Sequence, residues 1–426
     1  MEDIKRREFL KKTAAVSAVT IVSPSIAFGS KANSAIRMGI IGCGGRGTTV
    51  ISSLSKHTST NIIAMADLFE DRLKGSKEIL DENNLKKAYP KIEKHNTYLG
   101  SDAYLRLLEN RDVDAVLIST PAYAHAKFLD AAVSAGKHVY CEKPVAPDVE
   151  GCKIVERAGK GIMGRLSVAI GFQIRYATPY VEMVKRIHRG DIGDIISAEL
   201  HYFSSGVGIH HTEVDSFDEV RIRNHYHFRA MSGGILLDQG IHMLDVCNWA
   251  LNSHPVSAIG IGGKKSSPDL GDTWNNFQIL YHYPNDINVS IHSTQVGPGW
   301  GGVCARFIGS KGIAEANYSG GVFIIGENQW DSGIQRYKDQ ELSMEQKDTG
   351  VFLSSLHDAD ANKDIQFIKS IETGNYINET FSGVESTLTA IMGRDAATSN
   401  QEYNWDETYF SNARLDPRLN LSQFDR

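Results

Sequence analysis

The residues Ile36 to Ile41 form a short apolar run, and Gly42-Cys43-Gly44-Gly45-Arg46-Gly47 follows without a spacer. Thr48-Thr49-Val50-Ile51 then leads into a predicted helix. A strand, a glycine turn and a helix in direct succession leave few folds open. Gly42 permits the tight turn, Gly44 lets a backbone approach a pyrophosphate, and Gly47 allows the helix to pack closely on the strand. Gly45 and Arg46 complete the turn. The helix start offers free N–H groups and the positive end of its dipole to phosphates.

The next strand, Asn61 to Ala66, ends in Asp67, 20 residues beyond Gly47. A dinucleotide fold places there the carboxylate that binds the adenosine ribose hydroxyls. It would repel the extra phosphate of NADP, so NAD is favoured, although Arg72 lies close enough to blur this. A plain turn residue is the alternative for Asp67. Two more strand–helix units follow: Ala115–Ile118 ends in Ser119-Thr120-Pro121 with His125 opening a helix, and His138–Cys141 ends in Glu142-Lys143-Pro144. Such alternation implies an α/β fold with a parallel sheet and helices on both faces. Asp67, Thr120 and Lys143 all fall at the carboxyl ends of strands, where such sheets bind ligands.

At 426 residues the chain is too long for one ordinary core, and length suggests two or three domains. Net charge is −6 without a long basic run after the first dozen residues, which argues against a nucleic-acid partner. The five cysteines, Cys43, Cys141, Cys152, Cys247 and Cys304, show no CxxC spacing. That excludes a disulfide framework or zinc knuckle as the organising element.

Residues 1–34 read as an export signal. Lys5-Arg6-Arg7-Glu8-Phe9-Leu10-Lys11-Lys12 precedes a charge-free stretch from Thr13 to Ser30. The Arg-Arg-x-Phe-Leu-Lys head is similar to a twin-arginine signal, which directs folded, cofactor-loaded proteins to the periplasm or cell envelope. An ordinary Sec signal or an uncleaved anchor is the alternative. The middle is too short, and too rich in Ser and Thr, for stable membrane insertion.

Past residue 35 the chain resembles the Gfo/Idh/MocA oxidoreductases. The resemblance rests on Gly42–Gly47, the Thr120-Pro121 to His125 segment, Glu142-Lys143-Pro144, and the run Ser232 to His242 with Asp245 and Trp249. It implies an N-terminal Rossmann domain (35–174) that binds NAD through these elements. It also implies a C-terminal α/β domain (175–426) with a large open, mainly antiparallel sheet whose outer face forms subunit contacts in a homodimer or homotetramer. Lys143 and His242 would be catalytic, with Asp238 assisting. Exported relatives imply a tightly held cofactor.

The residue types agree with this. Asp238 and His242, four apart, share a helical face, and a carboxylate beside an imidazole holds its tautomer. Oxidising a secondary alcohol needs a base for the hydroxyl proton, which suits His242. Lys143 would favour the developing alkoxide charge. A helix-start carboxylate, a structural histidine and a solvated lysine are the bland readings of the same three residues.

Further on, Thr178 and Pro179 start a helix that Gly190 stops. Strand-like runs follow at Ile195–Phe203, Val256–Ile261, Phe277–Tyr283, Ile287–Gln295 and Val303–Ile308. Arg175, Tyr176, His225, Tyr226 and His227 are candidate substrate residues, because rings and fixed donors grip sugars. His225 and His227 alternate as on one strand face, but no third ligand is evident, so no metal is expected. The leading reading is NAD(H)-dependent hydride transfer at a ring hydroxyl of a carbohydrate, glycoside or polyol. An NAD-dependent glycosidase acting by transient oxidation and elimination would need the same site plus an extra base, for which Tyr176, His225 or His227 could serve. A nonenzymatic NAD-binding sensor would be expected to lack Lys143 or His242.

Overall fold

The computed structural model describes residues 35–210, 216–265, 270–296, 302–334 and 355–425. The export-signal reading of residues 1–34 lies outside them. Six parallel strands come first: β1 (Arg37–Ile41), β2 (Asn61–Asp67), β3 (Thr97–Leu99), β4 (Ala115–Ile118), β5 (His138–Cys141) and β6 (Val168–Ile170). They lie in the order β3-β2-β1-β4-β5-β6. Strand β4 is buried at every position, as a strand covered on both faces must be. The order reverses between β1 and β4, which opens a crevice at the carboxyl ends of the strands. The crossovers include α1 (Gly45–His57), α2 (Glu70–Lys86), α3 (Ala103–Glu109), α4 (His125–Ser134) and α5 (Val149–Gly161).

Helix α6 (Thr178–His188), with proline in its first turn, leads into a nine-stranded sheet. Its strands are β7 (Ile195–Ser204), β8 (Ser257–Gly263), β9 (Asn276–Tyr283), β10 (Ile287–Gln295), β11 (Val303–Gly309), β12 (Gly312–Asn317), β13 (Val322–Gly326), β14 (Trp330–Asp331) and β15 (Tyr403–Asn404). The order is β14-β13-β12-β11-β7-β10-β9-β8-β15, and its pairings are antiparallel except β7 with β10. Alternation sets the faces: Ala198, Leu200 and Tyr202 of β7 are buried, while Glu199, His201 and Phe203 look outward. Against the inner face pack α8 (Ile241–Leu251) and α10 (Thr380–Ser399). Helices α7 (Phe217–Arg223), α9 (Ala359–Thr373) and α11 (Trp405–Phe410) complete this half.

A single cut at residue 175 does not separate the two cores. Phe367 and Ile368 of α9 join the apolar cluster of Met38, Ile40, Ile51 and Tyr140 in the first half. Fully buried Lys363 forms an ion pair with Asp360 at 2.8 Å, lies 3.6 Å from Asp364, and stands over the Tyr140 ring. The physical reason is the parallel sheet, which needs cover on both faces, and α9 supplies part of it. All five cysteines are buried and free.

Candidate functional site

The glycine turn lies at the switch between β1 and β4. Gly42 has φ +95°, and a Cβ on Gly47 would come within 2.1 Å of the Gly42 carbonyl oxygen, so both positions require glycine. A Cβ at Gly44 or Gly45 would meet nothing within 4 Å, so open space lies above the turn. Helix α1 starts there with no side-chain cap and no acid in its first turn. Its N–H groups are therefore available to an anion. This cradle fits a dinucleotide pyrophosphate.

Asp67, at the end of β2, faces the same turn. Its Oδ2 accepts from the Cys43 N–H at 2.6 Å and its Oδ1 from the Phe69 N–H at 2.9 Å. Burial pushes this carboxyl above the usual range despite those two donors. At the end of β4, Thr120 Oγ1 is buried without a hydrogen-bond partner, and Pro121 precedes a 3-10 turn, Ala122–Ala124. The two ring nitrogens of His125 each lie 2.7 Å from a carbonyl oxygen, that of Thr120 and that of Pro144. His125 therefore ties the ends of β4 and β5 together.

Arg46 reaches from the turn to buried Glu142, with Nη2 3.0 Å from Oε1. Next in sequence, Lys143 turns its Nζ to the Asp238 carbonyl oxygen and lies 3.5 Å from Asp238 Oδ1. His242 sits close by, at the start of α8. Tyr202 stacks at 6.2 Å from it, and Phe172 and Tyr318 present edges at 6.2 and 6.5 Å. Burial, then the Lys143 and Arg46 cations, hold this imidazole well below its ordinary pKa. Its Nδ1 is buried with no partner. An amine and a buried, neutral imidazole thus lie within electrostatic reach of each other beside the turn, the pair of groups that proton transfer at a hydroxyl requires.

The expected Asp238–His242 pairing is not made. Residues Leu236–Gly240 form a π-turn, which advances by more residues per turn than an α-helix, so a four-residue spacing no longer stacks the two side chains. Asp238 serves Lys143 instead. Other expected residues are drawn elsewhere. Arg175 is bound through Nε and Nη2 to Asp245, the pair lying 2.9 Å apart, and the Tyr176 hydroxyl is held by Glu379. His227 lies 3.3 Å from the Gly208 carbonyl. His225 and His227 occupy a 3-10 turn, not a strand, so the expected alternation is absent. His225 stays near the site: burial pushes it down to about 4 against the opposing charge of Asp238, and Tyr226 packs on its ring at 4.0 Å. Among the described residues no cluster of three or more His, Cys, Asp or Glu side chains could hold a metal ion. Among them, too, no helix is long and apolar enough to cross a membrane.

Sequence reasoning missed the rings around His242. Tyr202 could have been found from the period-two pattern of β7; Phe172 and Tyr318 carry no local signal. It also missed Tyr123, whose phenol is pushed up to about 12 by burial and by the Asp67 and Asp218 carboxylates.

Residues 36–169 match the model of the oxidoreductase family with an NAD-binding Rossmann fold, and residues 180–315 that of the GFO/IDH/MocA C-terminal domain. Among curated proteins, inositol 2-dehydrogenase 2 of Saccharopolyspora erythraea is 28% identical over 56% of this chain and 61% of its own length. Inositol 2-dehydrogenase of Klebsiella pneumoniae is 28% identical over 51% of this chain and 55% of its own. The chain thus spans less than two thirds of either relative. Aldose-aldose oxidoreductase of Caulobacter crescentus, complexed with glycerol, superposes with a TM-score of 0.66 at 18% identity, covering 87% of this chain and 99% of that one. Scyllo-inositol dehydrogenase of Lactobacillus casei, with bound NAD(H) and scyllo-inositol, gives 0.65 at 20% identity with the same coverage. At those identities the likeness concerns the fold. The two family segments, in order and together covering well over half of the sequence, place this chain in the Gfo/Idh/MocA oxidoreductase family.

Proposed function

We propose that the chain is an NAD(H)-dependent dehydrogenase acting on a ring hydroxyl of a polyol, sugar or glycoside. The observation that carries the reading is the meeting of Lys143 and His242 beside the open glycine turn. The names of the relatives, inositol dehydrogenases and an aldose oxidoreductase, support the substrate class. Bound NAD would supply the hydride acceptor, with the Gly42–Gly47 backbone and Asp67 holding it. His242 takes the hydroxyl proton, and its surrounding rings exclude water. Lys143 donates a hydrogen bond to the substrate oxygen as negative charge grows there, exchanging its contact with Asp238 for that oxygen. Asp238 orients Lys143, and the role we assign to His225 is to bind a neighbouring hydroxyl of the substrate. The Asp67 carboxylate, which would repel a 2′-phosphate, favours NAD over NADP, with the Arg72 cation as the group that works against this preference.

The elimination route draws no support from these relatives, and two of its three candidate bases, Tyr176 and His227, are held by Glu379 and Gly208. Further parts of the proposal are export by the twin-arginine head, testable by cell fractionation, and self-association through the outer face of the nine-stranded sheet. The direct test is a native preparation assayed for co-purified dinucleotide and then screened with inositols and aldoses by nicotinamide absorbance. Lys143→Ala should lower kcat by ~10²–10⁴-fold while NAD affinity changes little. Near wild-type turnover in that variant would remove Lys143 from the mechanism.

A further inference from the structure

The last segment of the chain, after α11, runs along the carboxyl edge of the six-stranded sheet. It begins beside the start of α5, where the Leu415 N–H donates to Asp148 Oδ2 at 2.6 Å. It then passes α7, where Arg221 Nη1 donates to the Pro417 carbonyl at 2.6 Å, and Asp218 Oδ2 accepts from the Asn420 N–H at 2.9 Å and from Gln423 Nε2 at 3.0 Å. It ends at β2 and β3. The Phe424 ring meets Phe69 edge-on at 5.4 Å, and Asp425 accepts from the Ser101 N–H at 2.7 Å and its hydroxyl at 2.8 Å.

Phe69 lies two residues after Asp67, so the segment reaches the side of the crevice where a ribose-binding carboxylate stands. The site there is assembled from distant pieces. Arg223 of α7 lies 4.0 Å from the Phe69 ring centroid and binds Asp71 through two nitrogens at 2.9 and 3.0 Å. The charges of Asp67 and Asp218 both act on the buried phenol of Tyr123. Residues 415–425 lie past both matched family segments, which end at residue 315. The segment is mostly half-exposed or exposed and is fastened by hydrogen bonds more than by apolar burial. Elements of that kind open at low free-energy cost without unfolding the rest.

We propose that residues 415–425 are a clasp over the adenosine half of the dinucleotide site, which keeps the cofactor on the protein between turnovers. The inference rests on the dinucleotide reading above. With the clasp shut, Phe424 and Phe69 cover the nucleoside end, and release must wait for the Asp425–Ser101 and Asp218 contacts to part.

The experiment follows NADH release from the full chain by stopped-flow fluorescence, in the wild type, Phe424→Ala, Asp425→Ala and the double variant. Reduced nicotinamide mononucleotide, which lacks the adenosine half, is titrated in parallel. The clasp requires NADH to leave the double variant about tenfold faster or more, with mononucleotide affinity unchanged. It also requires amide exchange across 415–425 to slow when NADH binds the wild type, a reading independent of the variants' folding. NADH release at an unchanged rate overturns the clasp alone, as does an equal loss of mononucleotide affinity. A wild type that binds no NADH overturns the dinucleotide reading and the clasp with it.

Discussion

An imidazole accepts a proton only while its ring is uncharged, and at His242 burial and the Lys143 and Arg46 cations all act in that direction. Its folded pKa therefore lies below the unfolded value of about 6.5. As base, it should keep kcat/KM level through pH 6.5, with the acid limb appearing only at lower pH. Lys143→Met removes one of the depressing charges, so the limb of the residual activity should move to higher pH. A limb that stays in place would separate the two groups. The same depression bears on stability: below pH 6.5 the unfolded chain takes up the proton first, so the His242 contribution is whole above that pH and is lost as pH falls. Asp67 gives a second test at this scale. Asp67→Ala should weaken NAD binding and narrow the preference over NADP, measured by titration of both; an unchanged preference would leave Asp67 as a buttress of the Cys43 turn. Residues such as Gly42, Gly47 and Lys143 were legible in the sequence because neighbours along the chain define their task. The partners of Arg175, Tyr176 and His227 were not legible in the sequence, because Asp245, Glu379 and Gly208 lie 70, 203 and 19 residues away from them along the chain.

Elements with a strong local period were read correctly. Strands β1, β2, β4 and β5 and helix α1 follow from apolar runs punctuated by glycine, and β7 to β11 from alternation. Helices α9 and α10 were not anticipated, because α10 is buried around most of its surface and shows no polar stripe, while α9 carries charged residues that the structure buries. That last feature can be tested. Lys363→Met would leave fully buried Asp364 and partly exposed Asp360 without their cation, and should cost roughly 3–5 kcal/mol, read as a lower denaturation midpoint. Lys363→Met with Asp364→Asn should cost less than the two single changes added together. A single variant as stable as the wild type would show that the ion pair does not hold α9 to the first sheet.

At the scale of the whole molecule, the nine-stranded sheet turns Ile261, Leu280 and Ile325 outward, each more than half exposed. Ile261 and Leu280 lie on the neighbouring strands β8 and β9 with Ile259 paired opposite Leu280, and this apolar group is the part of the outer face that the self-association proposed above would cover. Leu280→Glu should reduce the mass measured by analytical ultracentrifugation to that of a monomer, with the secondary-structure spectrum unchanged. An unaltered mass would place any subunit contact on another face.

The return of α9 to the first sheet has a consequence for how the protein is made. A ribosome emits β6 well before α9: about 190 residues separate Ile170 from Ala359, and at roughly 5–20 residues per second the wait is about 10–40 seconds. Throughout that interval the nascent nucleotide half lacks Phe367, Ile368 and Lys363, and part of its sheet stays bare. Holding the unfinished chain apart from others like it is then a task for chaperones, and mature packing of this half belongs to the time after translation has nearly ended.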